Sequence, residues 1–297
     1  MEIDPPGTLV NEGMVGRTMP GMTDTRITLQ SPDGASAEFS LNGGHLLSWK
    51  PVGAGEQLYL SPRSEFAPGK AIRGGVPVCF PQFADRGPLP KHGFARTLPW
   101  ELVSQEQGKD DALAVVRLRD NGITRALWPH AFELELSVRI GGRTLDVELA
   151  CENLGDAPLQ FTAALHTYLR VLDLDAVSVE GLAGLRYWDN VKKADALQRM
   201  DLLLTGEKGV LDLDRIYYGV KERPLLVTED RRQLAVRQQG FEDAVAWNPG
   251  PERCAQLADM PPEGWSEMLC LEAAIIGRPV ELPAGESWVG RQSLALL

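Results

Sequence analysis

From residue 132 to residue 151 apolar and polar side chains alternate with a period of two. Phe132, Leu134, Leu136, Val138 and Ile140 are interleaved with Glu133, Glu135, Ser137 and Arg139. After Gly141-Gly142 the alternation resumes through Leu145, Val147, Leu149 and Cys151. Successive side chains of a strand point to opposite faces. Two such runs about a Gly-Gly pair predict a β-hairpin with one face buried. Further strands are predicted at Arg26–Gln30, Ala37–Leu41, Leu46–Lys50, Trp100–Val103, Val115–Arg119, Gln160–Val171, Val177–Glu180, Leu225–Val227, Leu234–Arg237, Ala244–Trp247, Met268–Ile276 and Ser287–Leu294. Turn chemistry separates them, as at Ser31-Pro32-Asp33-Gly34, Asn42-Gly43-Gly44 and Asn121-Gly122. Helical periodicity is weak, and one short helix is expected in Pro251–Met260, with Pro251 in its first turn. This is the pattern of an all-β sandwich or barrel. Residues 23–297 are expected to form a single domain, behind a flexible extension over residues 1–22 that is rich in Pro and Gly.

The net charge of -11 argues against nucleic acid or anionic lipid as a partner, since both attract basic surfaces. The local balance is the reverse. Between Arg63 and Arg96 the chain carries a net +4 from Arg63, Lys70, Arg73, Arg86, Lys91 and Arg96 against Glu65 and Asp85. A small anion would be drawn there. Cys79, Cys151, Cys254 and Cys270 form no CxxC pair and sit beside apolar residues, which predicts buried free thiols and no metal site. No signal peptide or membrane-length apolar segment is present, so a cytoplasmic, monomeric protein is the expectation.

Two residues stand out as chemistry. Glu272 is the one charge in the apolar run Met268–Ile276. Burying a carboxylate costs several kcal/mol, of order 5, unless it is paired or hydrogen-bonded. Desolvation would raise its pKa towards the range of a general base; a buried ion pair with an arginine explains it equally well. His166 shares a strand face with Thr162, Tyr168 and Arg170 by alternation. Taken alone, it fits a satisfied structural histidine somewhat better than a catalytic one.

The segment Ala71–Phe83, which contains Gln82, has the composition of a rigid turning wall, and Gly74-Gly75 would let backbone approach a ligand closely. Lys91-His92-Gly93-Phe94-Ala95-Arg96 supplies three potentially cationic groups, and arginine forks suit phosphate oxygens. Asp214 could accept hydrogen bonds from sugar hydroxyls or form a turn pair with Arg215. Trp247 could be a platform for a sugar ring or a core residue. For His45 and His130 structural roles are expected. P-loop, GxGxxG, GxSxG and HExxH patterns are absent.

Taken together, Gly43–Trp49, Tyr59–Ser61, Ile72–Pro81, His92–Arg96 with Trp100, Leu165–Tyr168, Asp214–Tyr217, Trp247–Pro249 and Cys270–Glu272 resemble the hexose-6-phosphate mutarotases, or glucose-6-phosphate 1-epimerases, of the aldose 1-epimerase superfamily. The resemblance runs in order from about residue 25 to the C-terminus. It implies a galactose-mutarotase-like β-supersandwich with few short helices. It implies His166 as general acid and Glu272 as general base, without cofactor or metal. It implies Arg73 and Arg96 as phosphate ligands, and Lys91 and Asp214 as further substrate contacts; His92, which could contact a sugar hydroxyl or cap a turn, and Gln82 are additional candidate contacts. The expected reaction is anomer interconversion of a hexose 6-phosphate. The alternatives are an epimerase for unphosphorylated hexoses, for which the basic cluster is superfluous, and a non-catalytic sugar-phosphate binder, which has no need of an acid–base pair. A glycoside hydrolase would want two carboxylates flanking the scissile bond.

Overall fold

The computed structural model describes residues 25–67, 69–204 and 212–297. The expected extension over residues 1–22 lies outside them. Among the described residues the strands form three sheets. The smallest joins β1 (Arg26–Gln30), β2 (Ser36–Ser40) and β3 (His45–Lys50). The largest runs in the order β14 (Leu202–Leu203), β11 (Val177–Glu180), β16 (Leu225–Glu229), β17 (Arg232–Gln239), β20 (Ser287–Leu296), β8 (Thr144–Asn153), β7 (Phe132–Gly141), β6 (Ala112–Arg119) and β5 (Glu101–Gln107). The third runs β13 (Ala194–Leu197), β12 (Arg186–Asp189), β15 (Leu213–Tyr217), β18 (Asp243–Asn248), β19 (Met268–Leu282), β9 (Leu159–Leu165) and β4 (Val78–Cys79), with β10 (Tyr168–Arg170) also paired to β19.

The predicted hairpin is β7–β8, paired from Phe132↔Asn153 to Gly141↔Thr144. Its apolar face turns inward, since Phe132, Leu134, Leu136, Val138 and Ile140 are all buried. These side chains meet Leu165, Leu269, Leu271 and Ala273 of the other large sheet in one continuous core. The other expected strands are present, several running longer than expected, and β4, β12, β13, β14 and β15 form where no strand was expected. Gln160–Val171 is interrupted at His166-Thr167 and forms two strands. The helix expected in Pro251–Met260 spans only Gly250–Cys254. We label it α2, because a helix at Gly122–Leu127, α1, occurs where the sequence suggested only a turn. There the Asn121 side chain accepts hydrogen bonds from the Ile123 and Thr124 N–H groups, and the Thr124 hydroxyl accepts one from Asn121 N–H, a capping box.

β19 positions the site. Met268 to Ile276 are buried without exception, as expected of a strand covered on both faces. Leu269, Leu271 and Ala273 face the inter-sheet core. Cys270, Glu272 and Ala274 face the other way, where the loop of residues 80–96 and α2 cover them. All four cysteines are buried and unbonded, as expected. No helix among the described residues is long and apolar enough to cross a membrane.

Candidate active site

The antiparallel register brings His166 and Glu272 together. Leu165 pairs with Ala273, and Tyr168 with Cys270. Counting inward from both pairs sets residue 166 opposite residue 272. Across the sheet, Glu272 is aligned with Val245 and then Ile216, and Cys270 with Trp247 and then Asp214. Two adjacent rows of side chains on one face therefore carry Glu272, Trp247 and Asp214. The strand break supplies the rest: His166 N–H donates to Pro77 O at 2.9 Å, away from β19.

These side chains line a cavity of about 320 Å³ together with Arg73, Lys91, His92, Arg96, Asn190, Lys193 and Arg253. His166 Nε2 lies 3.4 Å from Glu272 Oε1. Both side chains are buried, and among the described residues neither His166 Nδ1 nor Glu272 Oε2 has a hydrogen-bond partner. The His166 ring is held by packing: Tyr168 stacks on it at 4.9 Å, with His92 at 5.4 Å and Trp247 at 6.0 Å edge-on.

The electrostatics follow from this crowding. Burial pushes Glu272 well above the usual carboxylate range; Asp214 pushes it further and Arg96 opposes. Burial pushes His166 well below its ordinary value, helped by His92, Arg96 and Arg73. Both shifts favour the neutral forms of the pair. Burial and the surrounding cations thus oppose a positive charge on His166. Burial, Arg96, Lys91 and Arg73 also lower His92, to about 3. His92 Nδ1 accepts from Ala84 N–H at 3.3 Å and lies 3.1 Å from the Cys79 thiol. The neutral ring then carries its proton on Nε2 as a donor. Its backbone is left-handed (φ 65°), and the following Gly93 packs so tightly that a Cβ there would lie 2.1 Å from Phe80 O.

The cations are held differently. Arg73 donates to Asp259 Oδ2 at 3.2 and 3.1 Å, and to Tyr168 Oη at 3.1 Å. Arg96 donates to Lys91 O at 3.1 Å, and its buried Nε has no partner among the described residues. Lys91 Nζ stands 4.0 Å from Asp85 at the exposed rim. Asp214 accepts from Asn190 Nδ2 at 2.6 Å and faces Arg253 at 3.6 Å. Burial raises its pKa, and these partners pull it back.

Two of the expected ligand contacts find other partners in the structure. Gln82 does not line the cavity: its side chain donates to Ala84 O and Leu89 O and accepts from Leu89 N–H, so the loop consumes its hydrogen-bonding capacity. Gly74 and Gly75 approach the protein's own backbone, since Cβ atoms there would lie 2.4 Å from Tyr59 O and 2.1 Å from Leu46 O. Arg86 is exposed and outside the cavity. His45 is structural, hydrogen-bonded through Nε2 to Gly74 O at 2.7 Å. Asn190, Lys193, Arg253 and Asp259 escaped sequence reasoning. Asn190 and Lys193 belong to the β12–β13 turn, and Arg253 and Asp259 lie in and after α2. No periodicity or motif marks them.

Residues 25–295 match the sequence model of the family described as aldose 1-epimerase. A protein of Escherichia coli strain K12, provisionally named glucose-6-phosphate 1-epimerase, is 41% identical over 243 residues, covering 80% of this chain and 79% of its own. A protein of Cenchrus ciliaris with the same provisional name is 32% identical over 279 residues, covering 91% of this chain and 84% of its own. The crystal structure of a provisionally named mutarotase from Salmonella typhimurium superposes with a TM-score of 0.83 at 31% identity, covering 92% of this chain and 90% of that one. The expected β-supersandwich is thus the architecture of solved relatives.

Proposed function

The chain belongs to the aldose 1-epimerase family, and from that premise we propose that it interconverts the α and β anomers of a hexose 6-phosphate, with Glu272 as base and His166 as acid. As a member of the family it is an isomerase. The reading is carried by one observation: a buried, otherwise unsatisfied His–Glu pair shares its cavity with Arg73, Lys91, Arg96, Lys193 and Arg253. Five cations against three carboxylates (Asp85, Asp214 and Glu272) in the lining leave a positive excess that suits a phosphate and that a neutral hexose does not need.

Anomerisation breaks and remakes the bond from C1 to the ring oxygen. Glu272 takes the proton of the C1 hydroxyl as His166 protonates the ring oxygen. The ring opens to an aldehyde, C1 turns about C1–C2, and attack on the other carbonyl face closes the opposite anomer. The proton inventory needs a carboxylate and an imidazolium. A phosphate dianion would offset the cations that disfavour charge on His166. C6 is attached to C5, the ring oxygen's other neighbour, so the phosphate extends from the side of the ring that meets the acid. Arg73, joined through Tyr168 to His166, lies on that side. Asp214, Asn190 and the His92 Nε2–H are left for the sugar hydroxyls.

A non-catalytic binder would gain nothing from an unsatisfied buried acid–base pair, whose desolvation costs stability. The experiment is to follow freshly dissolved α-anomer by polarimetry. His166→Ala and Glu272→Ala are each expected to lower turnover by ~10²- to 10⁴-fold with the fold retained by circular dichroism. Full activity in either purified, folded variant overturns the assignment.

A further inference from the structure

A catalytic histidine is usually oriented by a hydrogen bond on its second ring nitrogen. His166 lacks one: Nδ1 is buried without a partner among the described residues. What fixes its plane is the Tyr168 ring, stacked with centroids 4.9 Å apart and planes 11° apart. The Tyr168 hydroxyl accepts from Arg73 Nη1 at 3.1 Å, and Asp259 holds Arg73 through Nε and Nη2. Tyr168 is itself buried and locked in the β10–β19 ladder opposite Cys270. One side chain thus touches both the imidazole and the arginine.

We propose that Tyr168 is a positioning residue that sets the ring plane of His166 and the pose of Arg73 together, so that the phosphate arm and the proton donor are placed as one unit. This rests on the reading that the cavity takes a hexose 6-phosphate. The two contacts use different parts of the side chain and are separable. Tyr168→Phe keeps the ring face and removes the acceptor for Arg73. Tyr168→Leu removes both.

The test uses the full chain and two substrates, glucose 6-phosphate and glucose. In Tyr168→Phe, KM for glucose 6-phosphate rises about tenfold, more than kcat falls, as expected for one lost hydrogen bond to a charged group. The ratio of kcat/KM between the two substrates falls by the same factor. General damage would lower both substrates alike and leave that ratio unmoved. In Tyr168→Leu, kcat falls as well, and its low-pH limb moves to lower pH, because the imidazolium loses the aromatic face beneath it. Glu272 from β19, His92 and Arg96 from the loop of residues 80–96, and Arg73 from the segment before β4 also face His166 and are unchanged in the variant. A Phe variant indistinguishable from wild type, or proportional losses on both substrates, overturns the proposal.

If a variant does not fold, the wild-type protein still decides. Inorganic phosphate titrated into histidine- and tyrosine-labelled protein should shift the NMR signals of Tyr168 and His166 with one dissociation constant. Movement of neither, or of His166 alone, overturns the coupling. A wild-type enzyme with no preference for glucose 6-phosphate over glucose sinks the substrate reading instead, whereas a preference that survives Tyr168→Phe intact sinks this inference alone.

Discussion

In the proposed mechanism the site runs on the position of one proton, and the residues around the His166–Glu272 pair set where it lies. Catalysis needs one proton in the pair: with two, Glu272 cannot act as base, and with none, His166 cannot act as acid. The pH profile of kcat/KM is therefore a bell. Its low-pH limb marks arrival of the second proton, displaced below the ordinary histidine value by burial and the cations. Its high-pH limb marks loss of the first, displaced above the ordinary carboxylate value by burial and Asp214. Two substitutions move the limbs differently. Asp214→Asn removes an anion that raises Glu272, so the high-pH limb should move to lower pH. Arg96→Gln removes a cation that lowers both groups, so both limbs should move to higher pH. Stopped-flow polarimetry across pH 4–10 would check both signs, and a limb moving the opposite way would contradict the electrostatic account.

At the scale of elements, the strand break at His166-Thr167 has to be held in place. Gln292, reaching from β20 in the opposing sheet, donates to Leu271 O at 3.0 Å and bonds the Thr167 hydroxyl. All three groups are buried. Gln292→Leu keeps the volume but strands a carbonyl and a hydroxyl, at about 1–3 kcal/mol each. Urea unfolding should show a loss of roughly 2–5 kcal/mol, and a loss below about 0.5 kcal/mol would mean that the bridge does not matter to stability. Such bridges also explain what the sequence concealed. The alternation at 132–151 is legible because its face meets a dry core along its whole length. The run at 160–171 reads as one strand because the break is imposed by Pro77 and Gln292, both remote in sequence. Helix α1 had a local signal, Asn121 and Thr124 spaced as a capping box, obscured by the Asn-Gly turn signature. Gln82 misled for a related reason: a polar residue in an apolar, Pro-rich segment fits a ligand contact until its loop partners are known.

Over the whole molecule, the chain distributes charge unevenly in space, as it does in sequence. Its net charge is -11, yet Arg73, Lys91 and Arg96 from the one basic stretch converge with Lys193 and Arg253 on one cavity. Glu272 was conspicuous because nothing else in β19 is charged before Arg278. Lys193 and Arg253 were invisible because surface cations are common and only the folding of the β12–β13 turn and α2 over the sheet brings them to the mouth. On the proposed reading, the pair supplies the chemistry and the cations select for a phosphorylated hexose. That selection is what distinguishes this account from an epimerase of neutral sugars. It is tested most directly by exchange NMR at anomeric equilibrium, with glucose 6-phosphate and glucose compared at equal enzyme concentration. The account predicts kcat/KM at least ~10²-fold higher for the phosphorylated sugar, the worth of about two charge-assisted hydrogen bonds. Equal rates, or no acceleration of glucose 6-phosphate over its spontaneous exchange, would contradict it.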